Sequence, residues 1–421
     1  MSATSRVPAL APFRIRSFRF QWPADLSTSW AFEMETLILG WYVLVETQSV
    51  LWLTVFASLQ YTGTLLAPFF GVMADRLGRG NVLCAMRGIY AVLAATLMTF
   101  AYAGVLSPVH VFAIAALMGL VRPSDMGMRA ALVSDTMPVA HLMGAMSIQR
   151  TTGDSARIAG ALTGAGLLAL FGMGPAYTGI AALYAISFVL TLRVARAGSA
   201  RPAPEVSSPP PPVTSPWRDV RNAAEYVWTT PLLLAAMCLA FLVNFLAYPL
   251  VNALMPYVAK EVYGTDQTGL GYLVASFAFG ALFGSIMLSR RGSALPAARM
   301  MVIFCMAWYV MILIFAQMRD PLAGMFVLVF AGFAQSLAMV PMNTMMLRHS
   351  DERFRGRVMG LRMLAIYGLP IGLLISGPLI THFGYPLTAT LYSTVGLVFT
   401  MLIALHWRAH VWRLDAPANV R

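Results

Sequence analysis

The chain has 421 residues, of which 59% are hydrophobic and only 11% are charged, with a formal net charge of +12. A soluble domain carries about 25% charged residues, so most of this chain must face lipid or its own interior. The composition therefore excludes an ordinary soluble domain. The sequence also shows no Cys/His cluster, nucleophile elbow or phosphate-binding loop, so we expect no enzymatic activity, no metal site and no cofactor.

The N-terminal segment lacks the pattern of a secretory signal. Its first residues are polar and carry Arg6, Arg14, Arg16 and Arg19 instead of an apolar stretch followed by small residues. We therefore expect an uncleaved protein of the cytoplasmic (inner) membrane of a bacterium-like cell, or else of a plasma membrane.

About twelve segments are long and apolar enough to cross a bilayer, which requires ~20 apolar residues. They lie near 24–45, 51–71, 82–103, 109–130, 143–170, 175–195, 231–255, 269–289, 299–318, 322–346, 357–381 and 386–407. This pattern predicts an all-α membrane protein with twelve transmembrane helices. An even number of spans places both termini on the same side of the membrane.

The distribution of basic residues sets the orientation, because Arg and Lys accumulate in cytoplasmic loops. If both termini are cytoplasmic, the opposite side holds only Lys260 and Arg319 of the 29 basic residues. The net charge is therefore explained by topology, and no nucleic-acid partner is expected.

The loop between the second and third spans carries a specific pattern. Residues 71–80 read GVMADRLGRG, with the spacing G-x-x-x-D-R-x-G-R. An ordinary cytoplasmic loop would explain the arginines but not the glycines and the aspartate. The pattern resembles the signature loop of the major facilitator superfamily, although Gly80 replaces the basic residue with which that pattern usually ends. The resemblance implies two pseudo-symmetric six-helix bundles that transport a substrate.

The resemblance also implies a gating role for this loop. It implies that Asp75 anchors the loop against an arginine of the fourth span and against the start of the eleventh span, near Arg355. A carboxylate suits such a helix N-terminus. The residues assigned to gating are Gly71, Asp75, Arg76, Gly78, Arg79 and Arg129.

Further segments resemble an efflux subfamily that includes macrolide and enterobactin exporters. They are residues 40–43 (GWYV), 47–49 (TQS), 122–125 (RPSD), 130–138 (AALVSDTMP), 156–160 (ARIAG) and 355–358 (RGRV). Residues 160–165 (GALTGA) resemble the antiporter motif G-P-x-x-G-G, with Ala161 and Ala165 replacing its proline and its last glycine. Small residues also allow close helix contact, as expected for Gly280 and Gly284 on the eighth span, so packing explains the motif nearly as well.

Ionisable residues inside the membrane are functional candidates, because each costs ~2.5–3.5 kcal/mol on insertion scales. The fourth and fifth spans each carry three such residues on one helical face. They are Arg122, Asp125 and Arg129 on the fourth span and Arg150, Asp154 and Arg157 on the fifth. The two helices are antiparallel neighbours, so we expect these faces to meet.

The first span adds Glu33 and Glu35, which are two residues apart on a helix and so cannot point the same way. The set then holds four arginines and four carboxylates, and such a balance suggests mutual neutralisation in a low dielectric. Buried ion pairs that keep helices in register are one interpretation. Arg129 and Arg150 lie close to the cytoplasmic end, and their side chains could extend towards it.

Proton coupling is the functional interpretation of the same set. A carboxylate beside an arginine releases its proton readily, whereas burial without the arginine favours the protonated form. A motion that makes and breaks such pairs would link protonation to alternating access. The proton-coupling candidates are Glu33 and Asp154, followed by Asp125 and Glu35, with Arg122 or Arg157 as the switching partner. An arginine left unpaired could instead bind an anionic group of a substrate.

The series of apolar segments is interrupted in the middle of the chain. Residues 196–216 are rich in Pro, Ser and Ala and cannot bury enough apolar surface to become ordered. An amphipathic stretch follows at 217–229, with charged residues opposite Val220, Ala224 and Trp228. The predicted parts are an N-terminal six-helix bundle (1–195), a cytoplasmic linker (196–229) and a C-terminal six-helix bundle with a tail (230–421).

The second half has few deep charges, so its candidate site residues are neutral. Asn244, Tyr248 and Asn252 recur on one face of the seventh span, which Pro249 and Pro256 are expected to disturb. Interhelical hydrogen bonding explains each of these polar residues equally well. The substrate-binding candidates of both halves are Glu33, Arg122, Arg157, Asn244, Tyr248, Asn252, Gln335, Asn343 and Tyr367.

The sequence thus predicts a secondary transporter that exports a small organic molecule in exchange for protons. Its expected partners are the substrate, protons and the lipid bilayer, and we expect a monomer. The alternatives on the same fold are a proton symporter that imports an organic anion, a membrane sensor that does not transport, and a lipid flippase.

Overall fold

The computed structural model describes residues 11–199, 216–291, 296–351 and 355–412. Nearly all of these residues are helical, and none of them lies in a β-strand. The predicted all-α fold class is therefore confirmed. Most of the predicted linker, residues 200–215, lies outside the described part of the chain.

The described residues of the first half form seven α-helices. They are α1 (Arg16–Thr47), α2 (Val50–Leu59), α3 (Ala67–Leu77), α4 (Arg79–Tyr102), α5 (Pro108–Thr136), α6 (Val139–Phe171) and α7 (Met173–Ser199). The second span is not one continuous helix, because a 3-10 turn at Thr62–Leu66 separates α2 from α3. Gly78 separates α3 from α4 with a φ of 85°, a conformation that glycine adopts at no steric cost.

The second half supplies nine further helices in the described residues. They are α8 (Pro216–Thr229), α9 (Pro231–Leu242), α10 (Met255–Tyr257), α11 (Gln267–Arg291), α12 (Ala297–Gln317), α13 (Pro321–Arg348), α14 (Arg355–Ala365), α15 (Gly368–His406) and α16 (Arg408–Val411). The backbone of α15 turns at Gly384, whose φ is 78°. The two spans predicted near 357–381 and 386–407 meet at this glycine.

The helices account for all twelve predicted spans. Eight helical segments of the described chain are long and apolar enough to cross a membrane. One of them, Val358–His406, has 49 residues and holds two spans. The remaining three spans are α1 and α6, whose hydropathy is lowered by charged residues, and the interrupted pair α2 and α3.

The chain forms two compact units. Unit 1 comprises Met1–Thr47 and Leu59–Ser207, and unit 2 comprises Gln48–Ser58 and Ser208–Arg421. Most of α2 therefore belongs to unit 2, although it lies in the first half of the sequence. Inside unit 2, the Ser58 hydroxyl donates a hydrogen bond to the Pro370 carbonyl oxygen at 3.3 Å, and Lys260 Nζ donates one to Gln48 Oε1 at 2.8 Å.

Glycines let two helices of unit 2 approach each other closely. A Cβ atom built on Gly280 of α11 would overlap the Val329 carbonyl oxygen of α13. In return, a Cβ atom built on Gly332 of α13 would overlap the Phe277 carbonyl oxygen of α11. The backbones touch at two reciprocal points, so the packing contact predicted from Gly280 and Gly284 is confirmed.

Gly332→Ala is expected to force α11 and α13 apart. The added methyl group would overlap a backbone oxygen that cannot move independently, and overpacking of this kind costs about 1–3 kcal/mol. We expect a lower midpoint of thermal unfolding in detergent. Gly360→Ala is the matched control, because nothing lies within 4 Å of its added Cβ atom and alanine favours helix over glycine. Equal midpoints for the two variants would contradict the close contact.

The seventh span is not a regular α-helix. After α9 the chain continues in wide π-turns with i→i+5 hydrogen bonds, such as that from the Leu254 amide to the Pro249 carbonyl oxygen at 3.2 Å. These turns are Val243–Ala247, Pro249–Ala253 and Val258–Val262. Pro249 and Pro256 have no backbone N–H to donate. The irregularity predicted at these prolines takes the form of wider turns.

The predicted amphipathic stretch is α8, which packs through Tyr226 and Val227. Val227 is buried, and the Tyr226 hydroxyl is hydrogen-bonded to backbone groups just beyond α13 at 3.3 and 3.2 Å. Ala224 and Trp228, which the sequence places opposite the charged residues of this stretch, do not take part in this packing. Both are exposed.

Candidate functional site: buried charges around the first helix

A stripe of buried polar residues runs along α1. Gln21, Asp25, Thr28 and Glu35 are 1%, 4%, 2% and 1% exposed. Their spacing of four, three and seven residues places them on one helical face. Because α1 packs against α5, α6 and α7 inside unit 1, this face finds its hydrogen-bond partners on those neighbouring helices.

Glu35 is bound by the arginine of α5. Arg122 Nη2 donates to Glu35 Oε2 at 2.9 Å, and Arg122 Nη1 donates to Gln60 Oε1 at 2.8 Å. The Tyr184 hydroxyl of α7 donates to the same Glu35 oxygen at 2.9 Å. The guanidinium carbon also lies 3.5 Å from the centroid of the Phe32 ring, a cation–π contact. Three kinds of contact therefore fix the position of Arg122.

Glu35 keeps one oxygen without a partner. Its Oε1 atom is buried and makes no hydrogen bond to any described residue. The Tyr177 hydroxyl of α7, which is also buried without a hydrogen-bond partner, is within electrostatic reach of this carboxylate. A proton on Oε1 would give Glu35 a donor in addition to its acceptors.

Glu33 lies on another side of α1, as its spacing from Glu35 predicts. It makes no hydrogen bond or ion pair within the part of the chain that the structure describes. The charges that act on it are, in order of strength, those of Arg157, Arg122 and Asp154. Its Cβ atom packs on α6, where a Cβ atom added to Gly160 would lie only 2.6 Å away. Glu33 is thus a carboxylate in the field of two arginines without a direct bond to either.

A second set of charges lies ten residues earlier on α1, about 15 Å along the helix. Arg87 of α4 binds Asp25 and donates to the Thr191 hydroxyl of α7. Gln149 Nε2 of α6 donates to the other Asp25 oxygen at 3.0 Å. The Arg87 and Asp25 side chains are 1% and 5% exposed. Asp25 thus binds groups from two neighbouring helices, and its arginine is also bound to a third, α7.

Arg129 of α5 joins this second set. It binds Asp125 one turn away on α5 and lies 4.0 Å from Asp25. It also donates to the Ser29 hydroxyl at 2.8 Å. The second oxygen of Asp125, Oδ1, is buried and has no hydrogen-bond partner among the described residues.

The faces predicted on the fourth and fifth spans are joined through α1. The arginines of α5 bind carboxylates of α1 and of α5 itself. On α6, Arg150 lies 3.5 Å from Asp154, and the Arg150 side chain is 53% exposed. Arg150 therefore lies outside the buried set, as its position near the helix end predicts.

Two members of the second set were missed by the sequence analysis, and so were the hydrogen-bond partners of Arg122. Asp25 and Arg87 both lie within predicted spans, so their charge at membrane depth was an available signal. Arg87 and Asp25 add one positive and one negative charge, so the numbers of arginines and carboxylates inside the membrane remain equal. Gln60 and Tyr184 carry no comparable signal, because a neutral polar residue is common in a membrane helix.

The gating loop lies at the junction of α3 and α4. Gly71 and Arg76 are exposed on α3, and Gly78 makes the turn. Arg79 Nη1 donates to Asp135 Oδ1 near the end of α5 at 2.5 Å. The Asp75 side chain lies outside the described residues.

Arg129, which the sequence assigns to gating, faces the interior of unit 1. Its partners are Asp25, Ser29 and Asp125. Two buried carboxylates draw the guanidinium inwards, and for the same reason it does not extend to the helix end. The predicted extension of Arg129 is therefore corrected, and its assignment to gating stays a prediction.

The neutral residues predicted in the second half lie in unit 2, where two of them meet. Gln335 Nε2 of α13 donates to the Tyr248 hydroxyl at 2.8 Å. Asn244 Nδ2 donates to the Ala240 carbonyl oxygen of its own helix at 2.8 Å. Asn343 Oδ1 is buried without a hydrogen-bond partner among the described residues. The other two, Asn252 and Tyr367, lie on the second π-turn and at the break between α14 and α15. The bond between Gln335 and Tyr248 fits the interpretation of interhelical hydrogen bonding.

Comparison with known proteins agrees with this architecture. A family model described as Major Facilitator Superfamily matches residues 36–367 and 237–418. Among curated proteins, none matches the sequence significantly.

Solved structures of transporters have the same fold. The POT family transporter PepTSo matches with a TM-score of 0.76 and 14% identity, over 95% of this chain and 99% of that chain. The D323A mutant of the nucleoside transporter NupG matches with a TM-score of 0.72 and 13% identity, over 93% and 99%. The D-xylose-proton symporter matches with a TM-score of 0.66 and 12% identity, over 92% and 96%. At these identities the likeness establishes the fold alone.

The family model covers most of the chain, the helices supply twelve spans, and the 71–80 loop has the spacing that the superfamily shares. The chain therefore belongs to the Major Facilitator Superfamily, and it is an integral membrane protein with a transporter fold.

Proposed function

We propose that this protein is a proton-coupled secondary transporter that exports a small organic molecule by alternating access. The observation that carries the proposal is that Arg122 binds one carboxylate of α1, Glu35, but not the other, Glu33. Arg122 is hydrogen-bonded to Glu35 at 2.9 Å. It also acts electrostatically on Glu33, which has no hydrogen-bond partner among the described residues.

Protonation can decide which carboxylate holds Arg122. In a low-dielectric interior, an arginine stabilises a charged carboxylate beside it, whereas a carboxylate without such a partner favours its protonated form. Here Glu35 holds the arginine and Glu33 does not. A shift of α5 along α1 that carried Arg122 towards Glu33 would exchange these two states. Proton binding and release would then bias the conformational equilibrium that changes access.

Support for proton exchange comes from the glycines of the segment that resembles an antiporter motif. Gly160 lies against Glu33, and a Cβ atom added to Gly164 would lie 3.0 Å from the Met34 Cα atom. These two glycines let α6 approach α1 closely enough to position Glu33. We assign export from the resemblance to efflux transporters, and from the basic loops we place both termini on the cytoplasmic side of the inner membrane.

An importer of organic anions would need an arginine that no carboxylate holds. Arg122 and Arg129 each bind a carboxylate at close range. The contacts of these two arginines therefore favour a role in charge switching over a role in binding an anionic substrate.

Glu33→Gln is expected to uncouple transport, because glutamine keeps the size of the side chain but cannot carry the proton. The protein would be reconstituted in vesicles that contain a pH-sensitive dye and exposed to a panel of amphipathic drugs, siderophores and organic anions. We expect substrate-driven proton movement to fall about tenfold or more relative to wild type, equivalent to about 1.4 kcal/mol of barrier.

The matched control is Glu46→Gln, since Glu46 is also on α1 but is exposed. It should behave as wild type. Asp154→Asn tests the other first-choice proton carrier in the same assay. Proton movement that is unchanged in both Glu33→Gln and Asp154→Asn would refute the proposal and leave the buried pairs with a structural role.

A further inference from the structure

Tyr90 of α4 is a buried residue of unit 1 that is influenced by members of both sets of buried charges. Its side chain is 3% exposed, and its hydroxyl has no hydrogen-bond partner among the described residues. Its ring centroid is 5.5 Å from that of Tyr184, whose hydroxyl is bonded to Glu35. Of the charged groups around Tyr90, Asp125 acts on it most strongly.

Asp125 offers a matching acceptor. Its Oδ2 atom binds Arg129, but its Oδ1 atom is buried and has no partner in the described chain. Beyond Asp125, Arg129 approaches Asp25 to 4.0 Å, and Gln21 Nε2 donates to the Arg129 carbonyl oxygen at 3.2 Å. The polar groups therefore continue towards the end of unit 1 where α1 begins.

Packing alone does not explain the Tyr90 hydroxyl and the Asp125 oxygen. A buried polar atom without a partner costs about 1–3 kcal/mol, and native proteins contain few such atoms. Phenylalanine at position 90 would pack the same ring without this cost. The Tyr90 hydroxyl therefore requires a functional explanation.

We propose that the Tyr90 hydroxyl is a proton relay between Glu35 and Asp125, an inference that rests on the proposed proton coupling. A proton leaves Glu35 for the Tyr184 oxygen while the Tyr184 hydroxyl proton passes to the Tyr90 oxygen. The proton of Tyr90 then passes to Asp125 Oδ1. At the end Glu35 has lost one proton, Asp125 has gained one, and both tyrosines are neutral. The proposed relay includes a water molecule at each step that involves Tyr90, because its hydroxyl is beyond hydrogen-bond distance of both neighbours.

The surroundings of the relay are electrically balanced. The titratable and charged groups that face it are Asp25 and Glu35 from α1, Arg87 from α4, Arg122, Asp125 and Arg129 from α5, and Tyr177 and Tyr184 from α7. Three arginines match three carboxylates, so the path has no net charge before a proton enters. The proton would travel through the body of unit 1, towards the end where α1 begins.

Tyr90→Phe tests the relay with protons alone as the probe. Purified protein in detergent would receive protons from a light-activated donor, and the infrared absorption of the Glu35 carboxylic acid would be followed. The band is assigned by its loss in Glu35→Gln. We expect Tyr90→Phe to slow the rise of this band about tenfold or more without changing its final amplitude, because Arg122 and Tyr184 set the proton affinity of Glu35. Tyr90→Phe should fold normally, since it removes a hydroxyl without a partner.

Two matched controls remove other buried hydroxyls that lack a hydrogen-bond partner. In Tyr177→Phe the lost hydroxyl is near Glu35, but no second carboxylate acts on it. In Tyr309→Phe the lost hydroxyl is in unit 2. Both variants should protonate Glu35 at the wild-type rate.

The relay is overturned if Tyr90→Phe protonates Glu35 as fast as wild type, if Tyr177→Phe is slowed equally, or if wild type shows no Glu35 band. The proposed function is judged separately by proton movement in vesicles with Glu33→Gln. If Glu33→Gln abolishes proton movement in vesicles but Tyr90→Phe protonates Glu35 at the wild-type rate, the relay is refuted and the proposed function stands.

Discussion

Arg87→Met is expected to lower the free energy of unfolding by about 3–5 kcal/mol, because it leaves Asp25 as an uncompensated buried charge. The Arg87 side chain is 1% exposed and binds Asp25 and Thr191. Methionine fills part of the same volume but supplies neither the charge nor the donors. Arg129 is already bound to Asp125 and is 4.0 Å from Asp25, so it does not replace the lost partner. We expect little folded protein and a lower midpoint of thermal unfolding in detergent.

The double variant Asp25→Asn/Arg87→Met separates the charge from the packing. It removes both charges, and replacing a whole buried pair is often close to neutral. It should therefore recover most of the lost midpoint. Arg150→Met is the control on an exposed arginine, whose side chain is 53% accessible, and it should unfold like wild type. The explanation is wrong if Arg87→Met unfolds like Arg150→Met, or if the double variant is no better than the single one.

Arg122→Lys is expected to reduce transport about 100-fold while the protein stays folded, a change of about 2.7 kcal/mol in the barrier. Lysine keeps the positive charge, so Glu35 remains paired. It lacks the planar guanidinium that binds Glu35 and Gln60 at once and stacks on Phe32, and at such sites the two residues are not interchangeable. The lysine therefore keeps the positive charge, but its side chain is not positioned to exchange between Glu35 and Glu33. Substrate-driven proton movement in vesicles measures this loss.

Arg150→Lys supplies the comparison for this variant, since Arg150 is exposed and lies outside the buried set. The thermal midpoints of both lysine variants should stay near that of wild type. If Arg122→Lys moves protons as fast as Arg150→Lys, then the position of the guanidinium has no part in transport and the proposed exchange between Glu33 and Glu35 must be abandoned.

The helices could be predicted from the sequence because span length and apolar composition are local properties. Each membrane helix forms its backbone hydrogen bonds within itself. A search for apolar segments of ~20 residues therefore finds it without knowledge of its neighbours. Span length and composition predict less where contacts between helices determine the course of the backbone. The second span is interrupted beside Gly63, whose added Cβ atom would overlap the Leu120 carbonyl oxygen. The seventh span has an apolar composition that says nothing about its hydrogen-bond register.

The candidate site was predicted less completely than the fold. Glu33, Glu35 and Arg122 were identified because charge at membrane depth is visible in the sequence. The pair formed by Arg87 and Asp25 was not identified, since the two residues are 62 positions apart and meet only in the folded unit, where α4 and α1 both pack on α7. The two atoms on which the relay depends could not be predicted at all, because the absence of a hydrogen bond is a property of three-dimensional contacts.

The π-turns of the seventh span have a consequence for how this chain can change in length. Each turn holds one residue more than the corresponding α-helical turn, since its hydrogen bonds join i to i+5. Loss of a residue from a regular α-helix rotates everything beyond it by about 100°, which in a membrane bundle turns core-facing side chains towards lipid. Loss of a residue between Val243 and Val262 can instead convert one wide turn into an α-turn. This stretch is therefore where unit 2 can lose a residue in evolution while the helices on either side keep their register.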